Sequence, residues 1–101
     1  MEMTTYVMLL ERGKTYNKIN QTMVEKHVDY IRKLDDEGRL VICGSTKGFP
    51  GIAGMIIFEA EDYETAKAIC QTEPFVFEGY ATFKLFSMCV GNKANNYLLK
   101  E

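Results

Sequence analysis

The sequence predicts an α+β fold of the ferredoxin-like kind: a four-stranded antiparallel sheet with helices on one face, in the order β-α-β-β-α-β. Three observations carry this expectation. Four short β-prone runs alternate with two stretches of helical periodicity. In the longer helical stretch Met23, His27, Tyr30, Ile31 and Leu34 recur at the spacing that puts side chains on one helical face. Turn chemistry is densest between the second and third strands, where Gly44, Gly48, Pro50, Gly51 and Gly54 fall close together. At 101 residues the chain is one domain, long enough for one real core.

Residues 5–11 are apolar and β-prone, a buried first strand. Residues 12–20 are polar and contain Gly13, hence a loop. The first helix spans residues 21–37 and stops at Gly38, a natural C-terminal cap. The second strand, residues 39–43, follows through a tight turn. Phe49-Pro50-Gly51 has the composition of a β-turn leading to the third strand at residues 55–60. Asp62 is the expected N-cap of a second helix over residues 63–72, with Tyr63, Ala66, Ile69 and Cys70 on its inner side. Pro74 ends that helix and is suited to open a further short turn through Glu78. Residues 80–89 alternate, with Ala81, Phe83, Leu85 and Ser87 facing one way, and form the fourth strand. The domain therefore covers residues 1–90, and residues 91–101 form a polar tail, either strapped onto a partner or frayed.

The first strand is apolar on both sides: Val7 and Leu9 oppose Tyr6, Met8 and Leu10. Such a strand wants a layer on each face. The most economical second layer is another copy of the sheet, so a homodimer through the open sheet face is expected. Twelve basic and fourteen acidic residues are interspersed, giving a net charge of -2. That is unlike the clustered positive surface that nucleic acid needs. No apolar run approaches the roughly 20 residues of a bilayer span. The first five residues lack a basic region followed by a long apolar core, so a cytoplasmic, non-membrane protein is expected.

His27 is the only histidine, and it lies on an apolar stripe. An imidazole aimed at the interior is either a packed structural residue or a proton carrier. One histidine without neighbouring acids makes a poor metal site, so neither metal nor cofactor is expected. Cys43, Cys70 and Cys89 have no metal-binding spacing and lie in apolar stretches, as reduced core thiols do. Gly44-Ser45-Thr46-Lys47-Gly48 lacks the spacing of a phosphate loop. Ser45 reads as a turn serine or as a hydrogen-bond donor to a ligand. Phe49, Phe75 and Tyr80 sit in segments bordering the expected cleft and suit stacking on a flat ring, whereas Phe77 suits core or dimer interface.

Several segments taken in order resemble the YCII-related (YciI-like) family of the dimeric α/β-barrel superfamily. They are His-Val-Asp-Tyr-Ile-Arg-Lys-Leu around His27, Glu37-Gly38-Arg39-Leu40, Gly44 after the second strand, Glu61-Asp62-Tyr63-Glu64-Thr65-Ala66, Glu73-Pro74-Phe75-Val76 and Gly79-Tyr80. The resemblance covers residues 5–88. It implies a histidine and a carboxylate acting as a catalytic pair, here His27 and Glu73, where the family usually has aspartate before the proline. The substitution keeps the charge and lengthens the side chain by one methylene. The function so implied is a cofactor-free lyase or isomerase that moves a proton on a small, cyclic or aromatic molecule. The alternatives are a non-catalytic ligand-binding accessory domain and a cofactor-free monooxygenase-like protein.

Overall fold

The computed structural model describes residues 2–99. Its elements are β1 (Thr4–Arg12), α1 (Gln21–Asp36), β2 (Leu40–Ser45), β3 (Ile52–Ala60), α2 (Tyr63–Gln71), α3 (Pro74–Phe77) and β4 (Ala81–Met88), with 3-10 turns at Tyr16–Lys18 and Lys93–Leu98. The strands form one antiparallel sheet in the order β2-β3-β1-β4. The expected βαββαβ sandwich is the observed fold.

Local chemistry sets the boundaries. The Asn20 side chain accepts the Met23 amide at 3.0 Å and caps α1. Gly38, at φ 75°, ends the same helix. There the Gly38 amide donates to Asp35 and the Arg39 amide to Leu34, the paired bonds of a Schellman motif. Asp62 caps α2 by accepting the Thr65 amide at 2.8 Å, and that bond lowers its carboxyl below the ordinary carboxylate range. In the β2–β3 hairpin the Ile52 amide donates to the Phe49 carbonyl, and Gly51 has φ 84° after Pro50, the glycine position of a type II turn.

The core lies between the sheet and the helices. Tyr6, Met8 and Leu10 of β1 pair across the register with Phe58, Ile56 and Gly54 of β3, and Met23, Leu34, Ala66 and Cys70 cover them. Full burial of each large side chain contributes roughly 1.5–3 kcal/mol. The opposite face carries Val7, Leu9, Met55, Ile57, Ile42, Phe86 and Met88, with Glu11 and Lys84 3.8 Å apart among them. No element among the described residues covers it, and Ile42 is 62% exposed.

Four expectations need correction. β2 and β3 extend to Ser45 and from Ile52, so Gly44 and Gly54 are ladder residues and the loop shrinks to residues 46–51. Cys43 and Cys89 are exposed and only Cys70 is buried, because β2 is an edge strand and Cys89 lies just past the end of β4. Tyr63 stands at the first turn of α2 and is exposed, reaching the core only with its ring edge-on to Tyr6. Phe77 is 72% exposed and belongs to no core, because α3 buries Phe75 instead. In the tail, the Asn92 and Asn95 side chains each accept the other's backbone amide, closing a local turn; residues 100–101 lie outside the described part.

Candidate functional site

A gap in the inner layer of the sheet makes the site. At the level of Leu10 the facing β3 residue is Gly54, and its β2 partner is Ser45. A Cβ on Gly54 would lie 2.8 Å from the Gly44 carbonyl oxygen, so the strands can approach this closely only with glycine there. Gly44, Ala53 and Gly54 leave a low floor. Val24 and His27 of α1, with Tyr16, Asn17 and Ile19 from the first 3-10 turn and its end, form the opposite wall. The result is a cleft of about 530 Å³. Its lining includes no Lys, Arg, Asp or Glu, and its polar groups are Tyr16, Asn17, His27, Cys43 and Ser45.

Glu73 sits behind His27, fully buried at 0% exposure. It is the N-cap of α3: Oε1 accepts the Val76 amide at 3.0 Å. The other oxygen, Oε2, lies 2.7 Å from Nδ1 of His27, whose side chain is 24% exposed. An ionised carboxylate only accepts hydrogen bonds, so pairing with one requires the His27 tautomer that carries its proton on Nδ1. Nε2 has no protein partner among the described residues, which leaves it as the nitrogen available to the cleft. The imidazole also stacks on Phe75, with ring centroids 4.7 Å apart and planes 7° apart.

The buried carboxylate marks its surroundings. Burial first, then Cys70 and Glu73, push the Tyr30 phenol far above its ordinary value. Burial and then Glu73 push the Cys70 thiol up to about 12. Tyr30 donates its hydroxyl to the Ile69 carbonyl at 2.8 Å. Both groups stay neutral at physiological pH and compete for no proton with the imidazole.

The structure thus brings His27 and Glu73 into contact across 46 residues of sequence and puts Ser45 and Phe75 in the lining. It does not bring Phe49 or Tyr80 there. Phe49 projects from the hairpin loop to the other side of the sheet, beside Leu9, Ile52 and Met55. Tyr80 follows Gly79, φ 85°, in the Schellman motif that ends α3: its amide donates to the Phe75 carbonyl, and its side chain packs on the core. Phe75, expected to stack on a ligand, gives one face to His27 and is only 6% exposed. The sequence reading missed Tyr16, Asn17, Ile19, Val24 and Cys43. The available signal was Asn20 as a helix N-cap with Ile19 as the apolar residue before it, which places the loop against the first helical turn. No group of three or more His, Cys, Asp or Glu among the described residues is placed to hold a metal ion.

Among solved structures the fold is similar to the 5-chloro-2-hydroxyhydroquinone dehydrochlorinase TftG of Burkholderia phenoliruptrix AC1100, in complex with 2,5-dihydroxybenzoquinone. The TM-score is 0.71 at 15% identity, covering 91% of this chain and 99% of that one. An EthD family protein from Bacillus halodurans C-125 matches at TM-score 0.46 and 14% identity, covering 87% of this chain and 100% of that one. The first likeness shows a shared fold over nearly the whole of both chains. No curated protein matches the sequence. The YCII-related domain profile matches residues 4–88, nearly the whole sheet-and-helix domain, and the chain belongs to the YCII-related family.

Proposed function

We propose that this protein is a small enzyme of the lyase or isomerase type, with His27 moving a proton on a small cyclic molecule held in the cleft and Glu73 positioning the imidazole. The single observation that carries the reading is the buried Glu73 carboxylate. One of its oxygens is spent on the Val76 amide and the other is held 2.7 Å from Nδ1. A carboxylate that is fully buried, capped and aimed at one imidazole fixes the tautomer that leaves Nε2 free. Nε2 takes a proton from carbon or oxygen of the substrate. In an elimination, the electron pair released then expels the leaving group from the neighbouring carbon, and the imidazolium returns the proton to solvent or product. The uncharged, mostly apolar lining suits a neutral or weakly acidic ring. The fold likeness to a dehydrochlorinase bound to a dihydroxybenzoquinone is consistent with that class.

The working form in this proposal is a homodimer through the open sheet face, because Ile42, Phe86 and Met88 are otherwise left in water. The test is a panel of hydroxylated and chlorinated rings and lactones, assayed for conversion with the native protein, His27→Ala and Glu73→Gln. Conversion lost in both variants supports the reading. Retention of a ring compound with no conversion by the native protein supports a binding domain instead. Oxygen consumption with dihydroxyarenes supports a monooxygenase.

A further inference from the structure

We infer that Phe75 is a positioning residue for His27: its ring sets the plane of the imidazole, and with Glu73 it forms a two-point clip carried by one short turn. The inference rests on the proposed role of His27 and adds a residue to it. A hydrogen bond from Nδ1 to a carboxylate fixes one ring atom. The imidazole can still rock about its Cβ–Cγ bond within the reach of that hydrogen bond, carrying Nε2 out of alignment. A second contact, on the ring face, removes that freedom.

The structure supplies that contact from the same segment. Glu73 and Phe75 flank Pro74, whose fixed φ opens α3. Glu73 meets the edge of His27 at 2.7 Å, and Phe75 meets its face at 4.7 Å and 7°. Stacked rings at this separation attract one another beyond mere burial. Phe75 cannot easily swing away. It is nearly buried, Tyr16 packs edge-on against it at 6.1 Å and 79°, and its carbonyl is tied to the Tyr80 amide at 2.8 Å. With one imidazole face covered, a substrate in the cleft meets Nε2 edge-on or from the opposite face only.

His27 is the only histidine, so its ring signals stand alone in an imidazole NMR spectrum. The experiment compares the native protein with Phe75→Leu, which keeps the bulk and removes the flat face, and with Phe75→Tyr, which keeps the face. In Phe75→Leu the ring-current displacement of the His27 carbon-bound protons should vanish and the Nδ1 proton should broaden through faster exchange with water. Phe75→Tyr should keep both signatures. Conversion of a substrate from the panel above should fall by about ten- to hundredfold in kcat for Phe75→Leu, with KM changing far less, because misorientation acts on the transition state. Phe75→Tyr should restore it. If Phe75→Leu fails to fold, Phe75→Met serves the same comparison. An Nδ1 proton as sharp in the folded leucine or methionine variant as in the native protein overturns the inference, as does a tyrosine variant as impaired as leucine. The spectra are taken without substrate, so a protein that converts nothing sinks the proposed function and leaves the clip to be judged on its own.

Discussion

The two faces of the sheet use similar residues to opposite ends. On the helix side, apolar side chains of the helices pack onto the strands, and a gap above Gly44, Ala53 and Gly54 is walled by His27, which leans on a buried carboxylate. On the other side Ile42, Phe86 and Met88 stand exposed, with no covering element among the described residues. Hydrophobicity alone therefore does not distinguish the face that carries the candidate site from the open one. The covered face becomes a site because small residues leave room in it and a polar pair is desolvated there. The open face, which carries the Glu11–Lys84 pair among its apolar side chains, is left exposed in the protomer.

The comparison breaks most sharply at His27. Replacing it with alanine should lower turnover by about 10²- to 10⁴-fold, the usual worth of a general acid–base group, and should also lower the melting temperature, because the buried Glu73 oxygen loses its partner. A steady-state assay and a melting curve on the same sample check this. Next comes Glu73→Ala, which removes the α3 cap and the imidazole partner together. The cap alone is worth about 0.5–2 kcal/mol, so denaturant unfolding should show at least that loss. Glu73→Asp keeps the charge but is one methylene shorter, so it should weaken the Nδ1 contact, read from the imidazole NMR signals, more than it weakens stability. On the other face, Ile42→Glu and Phe86→Glu alter side chains already exposed in the protomer. Protomer stability should stay within about 0.5 kcal/mol. Sedimentation should nonetheless show dimer lost to monomer and the His27 spectrum unchanged.

The smallest effect concerns pH. The Cys70 thiol rises from an ordinary 9.0 to about 12 on folding, so above pH 9 the unfolded chain loses a proton that the folded chain keeps. Stability contributed by this group is complete below pH 9 and declines as pH rises through roughly 9 to 12. Tyr30, also raised, adds to the decline at its upper end. Denaturation midpoints measured across that range check the sign. A thiol reagent at pH 8 should modify the exposed Cys43 and Cys89 quickly and Cys70 only on unfolding.

Much of the fold was legible because period and punctuation agree: the stripe from Met23 to Leu34, Gly38, Asp62 and Pro74 each mark what they do in the structure. The misread boundaries come from Gly44 and Gly54, which look like turn residues and instead serve close strand approach. The exposed cysteines were misread because apolar neighbours say nothing of whether a strand lies at a sheet edge. The pairing of His27 with Glu73 could not be read from spacing at all. It depends on where α3 meets α1, and only family resemblance pointed to it. Phe49 and Tyr80 failed as cleft residues for a related reason. The direction of a side chain in a Pro-Gly turn, or just after a helix cap, is set by backbone geometry that composition does not encode.

The hairpin register has a consequence for how such a protein can diversify. The ladder closes at Ser45 and Gly54, and the Thr46 amide adds one more bond to Ala53, before the loop begins. The floor of the cleft is therefore insulated from residues 47–51, whose Phe49 leans toward the far side of the sheet. Insertions at that tip are absorbed by surface loop and by the neighbouring apolar face. Lengthening the hairpin would reshape the open apolar face while the His27–Glu73 pair stays untouched, so the two sides of the sheet can drift independently along one strand connection.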